Sequence, residues 1–344
     1  MLALVAHAAK DIRIEERPAE TPGEGEIGVR IAFGGVCGSD LHYYNHGGFG
    51  TVRIKQPMIL GHEIAGVVEA VGKACERIKV GDRVAVNPSV PCNRCRYCLE
   101  GRQNQCLDMR FYGSAMRFPH VQGAFRERLV CWEAQAHLAP ANVSLEEAAM
   151  AEPLAVALHA VRRAGSLTGK RVLVSGSGPI GALSAIAARR AGAAEIVVTD
   201  IADGALAFAG RIGVDRTINV ARDPAVMDAY KADKGYFDVL FEASGAEAAL
   251  RVGLEVLRTG GVIVQLGLGT GETTLPINLV TAKEIELRGT FRFHEEFALA
   301  LEFMGRGLID VKPLISATLP LAKALDAFEL ANDRSRSMKV QLAF

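Results

Sequence analysis

The chain has 344 residues, enough for two domains each with a core of its own. Apolar residues make up 49% and charged residues 23%, the ordinary balance of a globular protein and not that of a disordered one. Basic and acidic side chains number 39 each, so the chain lacks the electrostatic footprint of a nucleic-acid or anionic-membrane binder.

The opening stretch, MLALVAHAAKDIRIEERP, has no basic start ahead of a long apolar core, so no signal peptide is expected. The longest charge-free run, 172–188, is broken by glycine and serine and predicts no membrane span. A cytoplasmic protein is expected, in a compartment where disulfides rarely persist. Up to about residue 140 the chain is rich in glycine and proline. Short β-like runs, IGVRIAF (27–33), IAGVVEAVG (64–72) and DRVAVNP (82–88), predict a β-rich domain with long loops. Two of its stretches hold potential metal ligands: Cys37, His42 and His46 in GGVCGSDLHYYNH, and His62 with Glu63 in LGHEIAG. By spacing alone, packing residues and a metal site are both open readings.

A third stretch is more specific. NPSVPCNRCRYCLEGRQNQC places Cys92, Cys95, Cys98 and Cys106 at C-x2-C-x2-C-x7-C. Four thiolates at these intervals can close a tetrahedron around one zinc ion, with an iron–sulfur cluster or a disulfide lobe as alternatives. A zinc whose four positions are all filled by protein has no room for substrate, so this lobe is expected to be structural and the activity to lie elsewhere.

Ser144-Leu-Glu-Glu147 has capping-box spacing and opens a helix. Pro153, after Glu152, suits the first turn of another, ending by Gly165. From Gly169 strand-like and helix-like runs alternate. The strands are expected at 171–175, 195–199, 216–219, 237–241, 261–266 and 284–289, with helices such as 179–191 and 246–258 between them. This is the pattern of an α/β fold with a doubly wound parallel sheet. After its first strand comes G-x-G-x-x-G, as Gly176, Gly178 and Gly181, with Pro179 and Ile180 inside the motif. Such glycines permit a tight turn, close approach of a pyrophosphate, and helix–strand packing. Asp200 ends the next strand, placed to accept hydrogen bonds from the ribose hydroxyls of NAD. No Lys or Arg occurs in 201–210, which disfavours NADP. The last 55 or so residues return to mixed patterning and are expected to rejoin the first domain.

GHEIAG, the four-cysteine lobe and the glycine motif, in this order, resemble the zinc-containing medium-chain alcohol and polyol dehydrogenases over essentially the whole chain. CGSDLHYY, GHEIAGVV, AEPLAVALHA and GTFRF resemble the sorbitol-dehydrogenase branch. NPSVPCNRCRYC, QCLDMRFYGSAMRFPHVQGAF and KGYFDVLFEASG resemble its aldonate-oxidising members. The resemblance implies a GroES-like catalytic domain, 1–150 and 290–344, with a structural zinc lobe at about 87–110. A Rossmann NAD-binding domain, 151–289, interrupts it, and the active site lies in the cleft between them. Cys37, His62 and Glu63 match catalytic zinc ligands, and Glu152 matches a ligand or a holder of water. Neighbours in a strand point to opposite faces, so His62 and Glu63 can share an ion only from a loop or bulge.

Ser39 and His42 match a proton relay. Tyr43 and Arg292 match substrate-facing positions, with Arg110 and Phe111 as further cleft candidates, and Gly267 and Leu268 lie where the family passes the nicotinamide. The implied activity is zinc-assisted hydride transfer from a secondary alcohol of a small polyol or aldonate to NAD, with L-idonate to 5-keto-D-gluconate first. Sorbitol, xylitol and threonine are the rivals within the class. A zinc-stabilised NAD-binding protein without chemistry is the rival outside it. The family also implies a homo-oligomer, tetramer or dimer.

Overall fold

The structure, a computed structural model, describes residues 1–269 and 271–344. The apolar runs of the second half form six parallel strands. Val172, Leu173 and Val174 are each at most 2% exposed, as in a sheet covered by helices on both faces. Across the sheet lie Arg216–Asn219, Glu195–Asp200, Arg171–Ser175, Phe237–Glu242, Leu257–Gln265 and Glu286–Gly289. In chain order that is 3-2-1-4-5-6, which opens a crevice at the carboxyl end of the first strand, where the order reverses. Register sets Ser175 beside Thr199 and Glu242, so these strand ends form one rim.

A seven-stranded sheet occupies the other half. Its centre is Glu26–Gly35, which pairs antiparallel with Glu63–Val71, Arg128–Trp132 and the last strand, Lys339–Ala343. Gly35 lies opposite both Glu63 and Gln341, so the end of the chain returns to the loop that carries Glu63. Helix Ala151–Ala164 packs between the sheets, against helices Pro179–Arg190 and Glu296–Gly305. One apolar cluster runs from Ala65 and Ala85 through Leu154 and Leu158 to Leu183 and Phe297, and it fixes the two sheets across the crevice.

The expected α/β class with a doubly wound sheet holds. Ser144 caps its helix as the spacing required, accepting the Glu147 N–H at 3.1 Å. Two strand starts differ, and helix 246–258 is shorter, at Glu247–Val256. The fifth strand starts at Leu257, not 261, because the chain leaves helix Glu247–Val256 directly into extended backbone. Lys283 Nζ satisfies the helix's last carbonyls, those of Leu254 and Glu255, and also that of Leu257. The sixth starts at Glu286 because Glu284 takes a positive φ of 51°.

At Gly181 a Cβ would lie 1.8 Å from the Gly176 carbonyl oxygen, so the turn and helix have no room for a side chain there. Gly181→Ala is expected to lower stability by about 1–3 kcal/mol, the usual cost of overpacking. A urea midpoint and dinucleotide binding would fall together; a midpoint equal to wild type would count against this packing.

Candidate active site

Three separate segments meet at one buried cluster. Cys37 precedes helix Gly38–His46, and its N–H donates to Asp40 Oδ2 at 3.0 Å. Asp40, wholly buried, also accepts the Gly61 N–H at 3.1 Å, tying the Cys37 loop to the turn before His62. His62 lies just outside strand Glu63–Val71 and Glu63 is its first residue. That break in the pleat lets consecutive side chains reach one point. Donor atoms of Cys37, His62 and Glu63 lie within 4.8 Å of one another. Both Glu63 oxygens accept from Lys339 Nζ, at 2.8 and 2.7 Å. Glu152, in the first turn of helix Ala151–Ala164, is 5% exposed. Burial pushes its carboxyl up to about 8; His62 opposes the shift and Glu63 and Cys37 add to it. Burial, then the Glu63 carboxylate, pushes the Cys37 thiol up to about 12.

This donor set fits zinc. Thiol, imidazole and carboxylate are its ordinary ligands, and bonds of about 2.0–2.3 Å bring their atoms about this close. His62 Nδ1 is buried without a hydrogen-bond partner, 3.9 Å from Asp40 Oδ1. The second set also fits: Cys92, Cys95, Cys98 and Cys106 offer sulfurs within 4.8 Å. The Cys92 and Asp108 N–H groups donate to Cys106 Sγ at 3.1 and 3.3 Å. The N–H groups of Leu107 and Cys98 draw the Cys95 thiol down to about 6, favouring the thiolate a metal needs.

A cavity of about 380 Å³ runs from helix Gly38–His46 to the glycine turn, lined among others by His42, His46, Ser177, Gly178, Pro179 and Arg334. A Cβ at Gly178 would meet no atom within 4 Å, so that backbone faces open space at a helix N-terminus, as a pyrophosphate site requires. Pro179 and Ile180 open that helix. Gly267, on the rim, donates its N–H to the Glu242 carbonyl at 2.8 Å, and Leu268 beside it is exposed. A larger cavity, about 540 Å³, lies beside the thiol lobe, lined by Asn87, Asn104, Gln135 and His137. It contains neither the Cys37 cluster nor the glycine turn.

Asp200 is buried at the rim, with both oxygens engaged. Oδ1 accepts from the Ile201 and Ala202 N–H groups at 2.7 and 2.9 Å; Oδ2 accepts from the Ser177 N–H and from Arg334, each at 2.6 Å. On the metal side, the Phe111 ring lies 5.4 Å from that of His62, and the Arg292 guanidinium sits 4.1 Å over Phe111. Burial draws the Arg292 pKa down to about 10, against the pull of Glu152 and Tyr43. Among the described residues no carboxylate pairs with it; its Nη2 donates to Met116 Sδ at 3.3 Å. Tyr43 is buried, its hydroxyl accepting the Ala115 N–H at 2.9 Å. Arg110 is exposed and, as Phe111's strand neighbour, points the other way. Ser39, His42 and His46 share one face of their helix, and the two imidazoles are 6.2 Å apart. Burial, then His46, lowers the His42 pKa.

Residues 23–141 match the family model of the alcohol dehydrogenase GroES-like domain, and residues 179–306 that of zinc-binding dehydrogenases. The chain belongs to the zinc-binding alcohol dehydrogenases. It is 44% identical over 340 residues to L-idonate 5-dehydrogenase (NAD(P)(+)) of Escherichia coli K12, covering 99% of this chain and 98% of that protein. It is 37% identical over 337 residues to human sorbitol dehydrogenase, covering 95% and 92%. The crystal structure of the E. coli L-idonate enzyme superposes with a TM-score of 0.95 at 43% identity, covering 100% and 98%. An alcohol dehydrogenase of E. coli CFT073, solved with NADH, superposes with a TM-score of 0.91 at 28% identity, covering 100% and 99%. Zinc and NAD(P) are the cofactors of this dehydrogenase family.

Sequence reasoning missed three groups that the dehydrogenase fold brings to these sites. Asp40 had a readable signal, the Cys37-x-x-Asp40 spacing that both side chains complete as a capping box. Lys339 and Arg334 had none, because strand pairing and loop docking carry them in from the far end of the chain. Lys339 is the more consequential for folding. Its loss would strand a buried carboxylate, a defect of about 3–5 kcal/mol. Lys339→Met is therefore expected to lower the stability of metal-free enzyme by that order, and of zinc-loaded enzyme by less. Equal losses in calorimetry of the two forms would contradict a Glu63 shared between ammonium and metal.

Proposed function

We propose that the chain oxidises a secondary hydroxyl of a sugar acid, L-idonate to 5-keto-D-gluconate, with NAD as hydride acceptor. In this reading residues 1–150 and 290–344 hold metals and substrate, and residues 151–289 hold the dinucleotide. Cys37, His62 and Glu63 hold the catalytic zinc, with Glu152 at its edge as a further ligand or a holder of water, while Cys92, Cys95, Cys98 and Cys106 hold the structural one. Zinc, when bound, supplies a Lewis acid that lowers the pKa of a hydroxyl placed against it. Ser39 stands two residues past Cys37, positioned to accept the hydroxyl proton. His42, kept neutral by burial and by His46, can take that proton onward to His46, which is exposed. Gly176, Gly178 and Gly181 orient the dinucleotide, and the Gly267–Leu268 rim flanks its nicotinamide.

The observation that carries the substrate is Arg292. A half-buried guanidinium, stacked on Phe111 and without a carboxylate partner among the described residues, is free to pair with an incoming anion. An aldonate brings such an anion; sorbitol and xylitol do not. The names of relatives on both sides, an L-idonate and a sorbitol dehydrogenase, agree with the class.

A panel of L-idonate, sorbitol, xylitol and L-threonine on zinc-loaded protein, followed by NADH formation, tests this directly. L-Idonate is expected to be fastest at equal concentration, and a faster sorbitol would overturn the assignment. Arg292→Leu should raise KM for L-idonate by about 10- to 150-fold, equivalent to about 1.5–3 kcal/mol for a charge-assisted contact, while changing sorbitol kinetics far less. The two metal sites separate by variant. Cys95→Ser should lose about one zinc per chain together with stability. His62→Ala should lose turnover while keeping fold and coenzyme binding, and an active His62→Ala would remove the mechanism.

A further inference from the structure

We propose that Arg334 is a coenzyme-discriminating residue, one that NAD must displace from Asp200 and that the 2′-phosphate of NADP recruits. The inference rests on the reading that the cleft beside Gly178 takes the dinucleotide.

A carboxylate has about four acceptor sites, and Asp200 already uses four. Three of its donors, the N–H groups of Ser177, Ile201 and Ala202, are fixed backbone. The fourth is the guanidinium of Arg334, at 2.6 Å. The Asp200 side chain is 2% exposed and that of Arg334 50%, so only the arginine can be moved without breaking the turn. Ribose hydroxyls therefore reach Asp200 by replacing Arg334.

The position of Arg334 is built, not incidental. It lies between helix Ala324–Asn332 and the last strand, 134 residues from Asp200, and its segment docks on the first turn of helix Asp203–Arg211. At Gly204 in that turn a Cβ would fall 2.2 Å from the Ser335 carbonyl oxygen, so the two backbones touch there. Arg334 lines the cavity together with Ser177, Gly178 and Ala205. Arg222, a further cation on the same side, is held on Asp203 at 3.2 Å.

The two coenzymes then make opposite demands. NAD offers neutral hydroxyls that compete with the guanidinium for the same oxygen. NADP offers a phosphate with a charge of about −1.5 to −2, which Asp200 repels unless a guanidinium stands between them. Removing Arg334 should favour the first and penalise the second. The cation absent from 201–210 is thus supplied by the other end of the chain.

The test uses ADP-ribose and 2′-phospho-ADP-ribose, which need no turnover, titrated by calorimetry into zinc-loaded wild type, Arg334→Ala, Arg334→Lys and Asp200→Ala. Arg334→Ala is expected to shift the affinity ratio by about tenfold or more toward ADP-ribose. Arg334→Lys should keep part of the wild-type ratio, and Asp200→Ala should shift it the other way. A simple tie between the halves predicts equal losses for both probes in Arg334→Ala, and that result, or an unchanged ratio, overturns the proposal. If neither probe binds wild type, the assignment of the cleft fails first, and this inference with it.

Discussion

Glu63 and Lys339 form an ion pair that water barely reaches, their side chains 1% and 2% exposed. The chemistry of the site is arranged around that constraint. Burial in the same cluster pushes the Glu152 pKa up to about 8. Cys37 is held as a thiol for the same reason. A divalent cation reverses the preference: it stabilises the thiolate and gives the carboxylate a second partner. Lys339 fixes the Glu63 carboxylate in place through two hydrogen bonds.

The pair also explains why the chain must close on itself. Cys37, His62 and Glu152 come from the first 152 residues, but Lys339 stands five residues from the C-terminus. Only pairing of Lys339–Ala343 with Glu26–Gly35, which is also paired with Glu63–Val71, puts it there. The parallel sheet is inserted between these two contributions, and the glycine turn at its switch point shares a cavity with helix Gly38–His46, which follows Cys37. The Cys37 cluster and the glycine turn therefore stand at the ends of elements of two separate sheets, joined by the apolar layer around helix Ala151–Ala164. Sites built on such elements hold their geometry better than sites built on loops alone.

What could be read from the sequence follows the range of each interaction. The parallel strands were legible because their apolar runs are local and buried on both faces. The glycine turn was legible because its three spacings answer three local steric demands. The four-cysteine lobe was legible for the same reason, with all its ligands inside fifteen residues. The boundary at Leu257 was not, since Leu254 and Leu257 keep a helical spacing while the lysine that finishes the helix lies at 283. Ligand roles for Cys37, His62 and Glu63 entered through resemblance, because spacing across separate loops carries little information before folding. The partners of Glu63 and Asp200 were invisible to any motif, because sequence distances of 276 and 134 residues separate them from their cations.

Those two distant contacts change the meaning of the chain's zero net charge. Balance over the whole sequence argues against an anionic polymer as partner, but it says nothing of the field within a cleft. Here Arg292 stands on the metal side and Arg334 on the dinucleotide side. Two anions brought close together in a low-dielectric site would repel each other. The two guanidiniums are separate positive charges, each able to offset an anion beside it. They differ in one respect. Arg292 has no carboxylate to leave and can meet its anion at once, whereas Arg334 must exchange one carboxylate for another ligand. An anion meeting the first would break no carboxylate pair among the described residues, and one meeting the second would have to replace Asp200.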